Sequence, residues 1–214
     1  MSLIEQTENF VKESLQGAEA GHDWWHIYRV WQTARHIAAE EKANTLIVEL
    51  AALLHDIADS KFHEGNEEKG PQIAGTFLKS ISVNDAIIEH VQQIIRNMSF
   101  KASLGTVNFH SKELEVVQDA DRLDALGAIG IARAFSYGGY KQRAFYDPAI
   151  PPNLHITKDE YKNSTAPTIN HFYEKLLLLK DKMHTATGKR MAQQRHRFME
   201  QYLEQFYAEW KGER

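Results

Sequence analysis

The chain contains no cysteine. That excludes disulfides and thiolate metal sites and suits a reducing cytoplasm, which is the expected location. It has no excess of positive charge: the formal net charge is −4, so a nucleic-acid binder driven by bulk charge is not expected. No apolar run approaches the roughly 20 residues needed to span a bilayer, so a membrane is not an expected partner either. The first sixteen residues are polar and charged, unlike a signal peptide. Strand signals are almost absent, and there is no internal repeat, low-complexity segment or clear linker.

What is present is helical periodicity over 214 residues with an ordinary 43% hydrophobic and 25% charged composition. The expectation is an all-α fold in a single domain with a sizeable core. The pattern predicts helices over about 3–18, from Asp23 onward, 46–58, 71–80, 84–97, 112–125 and 128–135. Asp23 and Asn44-Thr45 supply N-capping oxygens, and Pro71 fits a first helical turn. Residues 136–167 read as one long irregular stretch, and two amphipathic helices over about 168–184 and 189–210 close the chain. The basic cluster Lys189, Arg190, Arg195, His196 and Arg197 reads as the wet side of the last helix. The run from Leu176 to Leu179 reads as packing or as part of a face for a homodimer.

The most informative feature is the pair His55-Asp56 at the end of an apolar run, Leu46 to Leu54. A core rarely accepts an imidazole beside a carboxylate unless both have a partner, and a shared cation is such a partner. His26 continues the apolar stripe of its own helix, four residues before Val30. Downstream, Val116, Ala120 and Leu123 form a buried stripe, and Asp121 and Asp124 lie three apart on a neighbouring face. A lone inward histidine is most often a hydrogen-bonded core residue, and His-Asp pairs often cap helices. Three separate helices each placing a ligand-type residue beside an apolar stripe is the stronger signal. Asp119 competes with Asp121 as the fourth ligand. His22-Asp23, a second His-Asp dipeptide, precedes its helix and reads as a helix start.

These residues resemble the HD-domain phosphohydrolase superfamily, whose pattern is a His, a His-Asp pair and a distant Asp, all on helices. Here that pattern is His26, His55-Asp56 and Asp121. More narrowly, nearly the whole chain looks like the YpgQ/YedJ-type bacterial group, through His22 to His26, His55 to Asp59, Gln118 to Ala132 and His171 to Lys175. The resemblance favours Asp121 over Asp119, because the family's ligand directly precedes Arg-Leu. It implies an HD-type helical bundle with its metal-binding core over about residues 20–135.

It also implies a metal-dependent hydrolase acting on a nucleotide, most specifically a (deoxy)nucleoside triphosphate pyrophosphohydrolase that releases a nucleoside monophosphate and pyrophosphate. The cofactor would be one divalent ion: manganese, nickel, magnesium, iron, cobalt or zinc. Asp59, three residues after Asp56, is the candidate for orienting or deprotonating water, since related alarmone hydrolases carry an acidic residue at this offset. Asp124 is the alternative. Arg29, Lys61, His63, Lys101 and Arg122 are candidates for binding phosphate, with the Arg133, Lys141 and Arg143 group adding contacts. Trp24, Trp25, Phe100, Tyr137 and Tyr146 either stack on a base or belong to the core. Two other readings stay open: a nucleoside monophosphate phosphatase or alarmone hydrolase, and a nucleotide-binding regulatory protein with a structural metal.

Overall fold

A computed structural model describes residues 1–16, 23–58, 68–98, 109–155 and 164–214. Among these residues every regular element is a helix, as the periodicity predicts. They group into two compact units, Met1–Asp121 and Arg122–Arg214.

In the first unit, α1 (Leu3–Ser14), α2 (Trp24–Glu41), α3 (Thr45–Leu54), α4 (Lys69–Ser80) and α5 (Asp85–Asn97) are joined by most of α6 (Lys112–Asp124). Ser2 and Glu5 form a reciprocal capping box at the start of α1. The Asp23 carboxylate accepts the His26 amide at 2.9 Å and opens α2. The Asn44 side chain accepts the Ile47 amide and opens α3. Val48, Leu50, Ala51, Ala52, Leu53 and Leu54 are fully buried, because α3 packs against α1, α2 and α5 at once.

α3 stops at Leu54, four residues short of the predicted end at 58. The Ile57 amide bonds to the Leu54 carbonyl in a tighter turn, and the His55 ring meets the carbonyl of Ala52. One of the helix's last carbonyls thus finds a side chain instead of a further turn. α4 and α5 pack closely: Gln92 donates to the Pro71 carbonyl at 2.8 Å, and its amide lies where a Cβ on Gly75 would stand. Three hydrogen bonds brace α6. Lys112 donates to the Glu41 carbonyl, Glu113 accepts the Asn44 amide, and Gln118 donates to the Asn97 carbonyl.

The second unit holds the last turn of α6, α7 (Gly127–Tyr140), α8 (Thr168–Glu174), a 3-10 helix (Leu176–Lys182) and α9 (Ala186–Trp210). Four predictions are corrected here. α7 runs five residues past 135, through Gly138-Gly139, because Gly138 is a contact point and not a breaker: the Thr168 hydroxyl lies where its Cβ would be. The helix predicted over 168–184 breaks at Lys175 into α8 and the 3-10 segment, and of the leucine run Leu176 is buried while Leu178 is exposed. α9 begins earlier than 189 because the Thr185 hydroxyl accepts the Gly188 amide at 2.9 Å. Its basic cluster is also only partly wet. Lys189, Arg190 and Arg197 are exposed, but His196 is buried and half-buried Arg195 donates to the Leu123 carbonyl. No described helix is long and apolar enough to cross a membrane.

Candidate metal centre

His26 occupies the first turn of α2, three residues after the capping Asp23. That cap fixes the start of the helix and thereby the direction of the His26 side chain, which is only 4% exposed. His55 follows the last residue of α3, and its Nδ1 lies 2.8 Å from the Ala52 carbonyl oxygen. A carbonyl only accepts, so Nδ1 carries the proton and donates. The Nε2 atom is then left with its lone pair in the neutral ring.

The His55 lone pair faces a carboxylate. Asp121 Oδ1 lies 3.9 Å from His55 Nε2 and 3.5 Å from His26 Nε2. The two imidazole rings meet edge to face with centroids 5.4 Å apart. Asp56, on the turn after α3, completes the group: His26, His55 and Asp56 each offer a ligand atom within 4.8 Å of the others. Nitrogen and oxygen acceptors converging this closely repel one another unless a proton or a cation lies among them. Two imidazoles and two carboxylates suit a divalent ion of intermediate hardness. The second contact of His55, to a backbone carbonyl, fixes tautomer and ring direction as metal-bound histidines require. The Asp121 side chain is 41% exposed, so the group is open on one side.

Asp121 and Asp119, the two competitors, have different surroundings. Asp121 reaches both imidazoles, whereas Asp119 is completely buried. Arg29 follows His26 by three residues on α2 and is half-buried. Asp59, Lys61, His63, Phe100, Lys101 and His22 lie outside the described residues. Arg122 and Asp124 belong to the second unit. There Arg122 donates to the Lys182 carbonyl at 2.9 Å, and buried Asp124 accepts from Arg133 Nη1 at 2.8 Å. Burial lowers the pKa of Arg195, and the Asp124 carboxylate partly offsets this. Trp25 is 61% exposed and Tyr137 50%, so both rings are surface features instead of core.

Sequence reasoning missed the backbone partners: the Ala52 carbonyl that orients His55, and the Lys112, Glu113 and Gln118 bonds that brace α6. Backbone acceptors leave no signature in residue identity. Arg133, a candidate phosphate contact by sequence, instead donates to Asp124, a pairing that only opposite charge across a turn would suggest.

A family model for the HD domain matches residues 24–126. Bacillus subtilis YpgQ is 37% identical over 214 residues, covering 99% of this chain and 96% of that protein. The chain belongs to the HD-domain superfamily of hydrolases. The crystal structure of an HD-superfamily hydrolase from Bacillus thuringiensis is similar at 47% identity and a TM-score of 0.78, covering 97% of this chain and 96% of that one. The structure of B. subtilis YpgQ in complex with ADP is similar at 35% identity and a TM-score of 0.73, covering 96% and 94%. This HD-superfamily chain has each member of the pattern in place: His26, His55-Asp56 and Asp121.

Proposed function

We propose that the protein is a metal-dependent nucleotide phosphohydrolase that cleaves a (deoxy)nucleoside triphosphate to a nucleoside monophosphate and pyrophosphate. The observation that carries this reading is the convergence of His26, His55 and Asp56, with Asp121 Oδ1 beside both imidazoles and the His55 tautomer fixed by the Ala52 carbonyl. The complex of its relative YpgQ with ADP supports a nucleotide as the substrate class. In this reading His26 and His55 supply Nε2 atoms, and Asp56 and Asp121 supply carboxylate oxygens, to one divalent ion. Such an ion, when bound, makes water more acidic and neutralises charge that builds on phosphorus.

The rest of the work falls to side chains. Asp59 orients the attacking water and accepts its proton, so that the oxygen is aligned on the α-phosphorus. Arg29, Lys61, His63 and Lys101 hold phosphate oxygens and offset their charge. Arg122 and Asp124 remain candidates for the same two roles, substrate binding and proton handling.

The test is a panel of nucleoside mono-, di- and triphosphates with manganese, nickel or magnesium, read by phosphorus NMR. Pyrophosphate and monophosphate from a triphosphate are expected. Orthophosphate released from a monophosphate would instead support a phosphatase. Chelation separates catalysis from scaffolding: activity should vanish while the helical signal persists, whereas melting on chelation would point to a structural ion.

A further inference from the structure

The first unit carries a charged group on its most apolar helix that the proposed reaction does not use. Glu49 is the sole ionisable residue of α3, and its side chain is only 14% exposed. One carboxylate oxygen, Oε2, accepts the Trp31 indole N–H at 2.7 Å. The same oxygen lies 3.4 Å from Arg35 Nε. Arg35 in turn sits over the Trp31 ring, its guanidinium carbon 5.6 Å from the centroid, and Gln32 accepts from its Nη1 at 3.3 Å. Trp31 and Arg35 are one turn apart on α2, so the cluster closes on itself across two helices.

Packing does not require this carboxylate. The buried residues of α3 are all apolar, and those of α2 are apolar apart from His26. Replacing both partners of a buried hydrogen bond by apolar groups of similar shape can be nearly neutral. What apolar contact lacks is direction: it decides which faces of two helices meet and holds their axial register only weakly. A hydrogen bond fixes distance and angle, and single polar groups set register in helix pairs at a cost in stability. Register matters here because of what lies at one end of the pair. Lys42, left-handed at φ 56°, ends α2, and Asn44 opens α3; so short a connection makes the helices antiparallel neighbours. His26 precedes Trp31 by five residues and His55 follows Glu49 by six. Both histidines therefore lie toward the same end, about 7–9 Å along the axes from the Trp31–Glu49 bond. A slip of one residue moves a helix by about 1.5 Å, a large fraction of the 4.8 Å within which His26, His55 and Asp56 converge.

We propose that Glu49 is a positioning residue for the metal centre: its bond to Trp31 sets the axial register of α2 against α3, and with it the separation of His26 from His55. This role rests on the reading that His26 and His55 bind one ion. The negative charge of Glu49 makes the bond stronger than one between neutral groups. Arg35 pairs with the accepting oxygen and covers the donating ring, so it restrains both partners. Glu49 acts on the ion only through the two histidines and the helices that carry them.

The decisive measurement is manganese affinity by equilibrium dialysis, with stability followed in parallel by urea unfolding. Glu49→Leu combined with Trp31→Phe makes both partners apolar, so stability should stay close to wild type while manganese binds about tenfold or more weakly. Glu49→Gln keeps an acceptor for the indole and should recover most of that loss. Leu78→Ala, at a fully buried site in α4, is the control: it should lower stability and leave manganese affinity near that of wild type. The nitrogen-15 resonances of His26 and His55 in the metal-free protein give a second readout, and they should shift in the double variant and not in Leu78→Ala. If wild type binds manganese and His55→Ala loses it, the metal reading stands, and unchanged affinity in the folded double variant then overturns this proposal alone. An equal loss of affinity in Leu78→Ala would also overturn it, because affinity would then follow stability and not register. Wild type that binds no manganese would sink both readings. Should the double variant fail to fold, Trp31→Phe alone, which removes only the donor, carries the same expectations.

Discussion

His171 allows one effect to be worked through quantitatively. Its ordinary pKa is 6.5, and in the folded protein burial, Lys175 and Arg143 depress it to about 3. Between those values the unfolded chain carries a proton on this ring that the folded chain refuses. Stability therefore falls as pH drops through that window, and the contribution is restored above about 6.5. At about pH 5 the unfolded ring is 1.5 units below its own pKa, which at about 1.4 kcal/mol per unit makes this histidine destabilising by about 2 kcal/mol relative to neutral pH. The perturbation is His171→Gln, which removes the titration while keeping a polar side chain of similar length. The assay is urea unfolding of both proteins at about pH 7 and pH 5, with the difference of differences isolating His171 from the other histidines. Wild type should lose about 2 kcal/mol more than the variant on acidification. Equal losses in the two proteins would refute the assigned environment of His171.

His55→Ala and Asp121→Ala should each weaken manganese binding, measured by equilibrium dialysis, by about a hundredfold or more, since losing even a group that only hydrogen-bonds a metal ligand costs about 10–100-fold; near-normal affinity in either would sink the ligand assignment. Asp59→Asn should bind metal normally and hydrolyse nucleoside triphosphate about 10²–10⁴-fold more slowly; an unchanged rate would move the proton-handling role elsewhere. Arg133→Ala removes the charge-assisted hydrogen bond that buried Asp124 accepts at 2.8 Å, so it should destabilise the fold by about 1.5–3 kcal/mol in chemical denaturation, the usual worth of a hydrogen bond to a charged group. Leu54→Ala, at a fully buried site in α3, should cost about 2–5 kcal/mol in the same assay.

Much of the fold was legible because helices advertise themselves by period. The buried face of α9, from Ala192 through Met199 to Leu203, follows that rule, as does α3, a helix apolar almost throughout. What periodicity could not supply was set by tertiary contact. Gly138-Gly139 reads as punctuation in one dimension, yet Gly138 is where Thr168 needs room. His196 reads as part of a basic surface and is buried all the same, with Nε2 3.2 Å from Glu200. The break at Lys175 lies in a stretch whose residues would all tolerate a helix, and nothing local marks it.

The centre itself was legible for a different reason. Ligand-type residues beside apolar stripes are rare enough that three on separate helices stand out. The sequence does not reveal that each is aimed by an end of a helix and not by its middle. Asp23 caps α2 and so sets His26; the exhausted end of α3 offers the Ala52 carbonyl to His55; and Lys112 and Glu113, in the first turn of α6, hold the helix that carries Asp121. Helix ends are where backbone groups lack internal partners. A site built there can use those groups to orient its ligands without placing additional polar side chains in the core, and α3 accordingly remains almost wholly apolar up to the residue before His55.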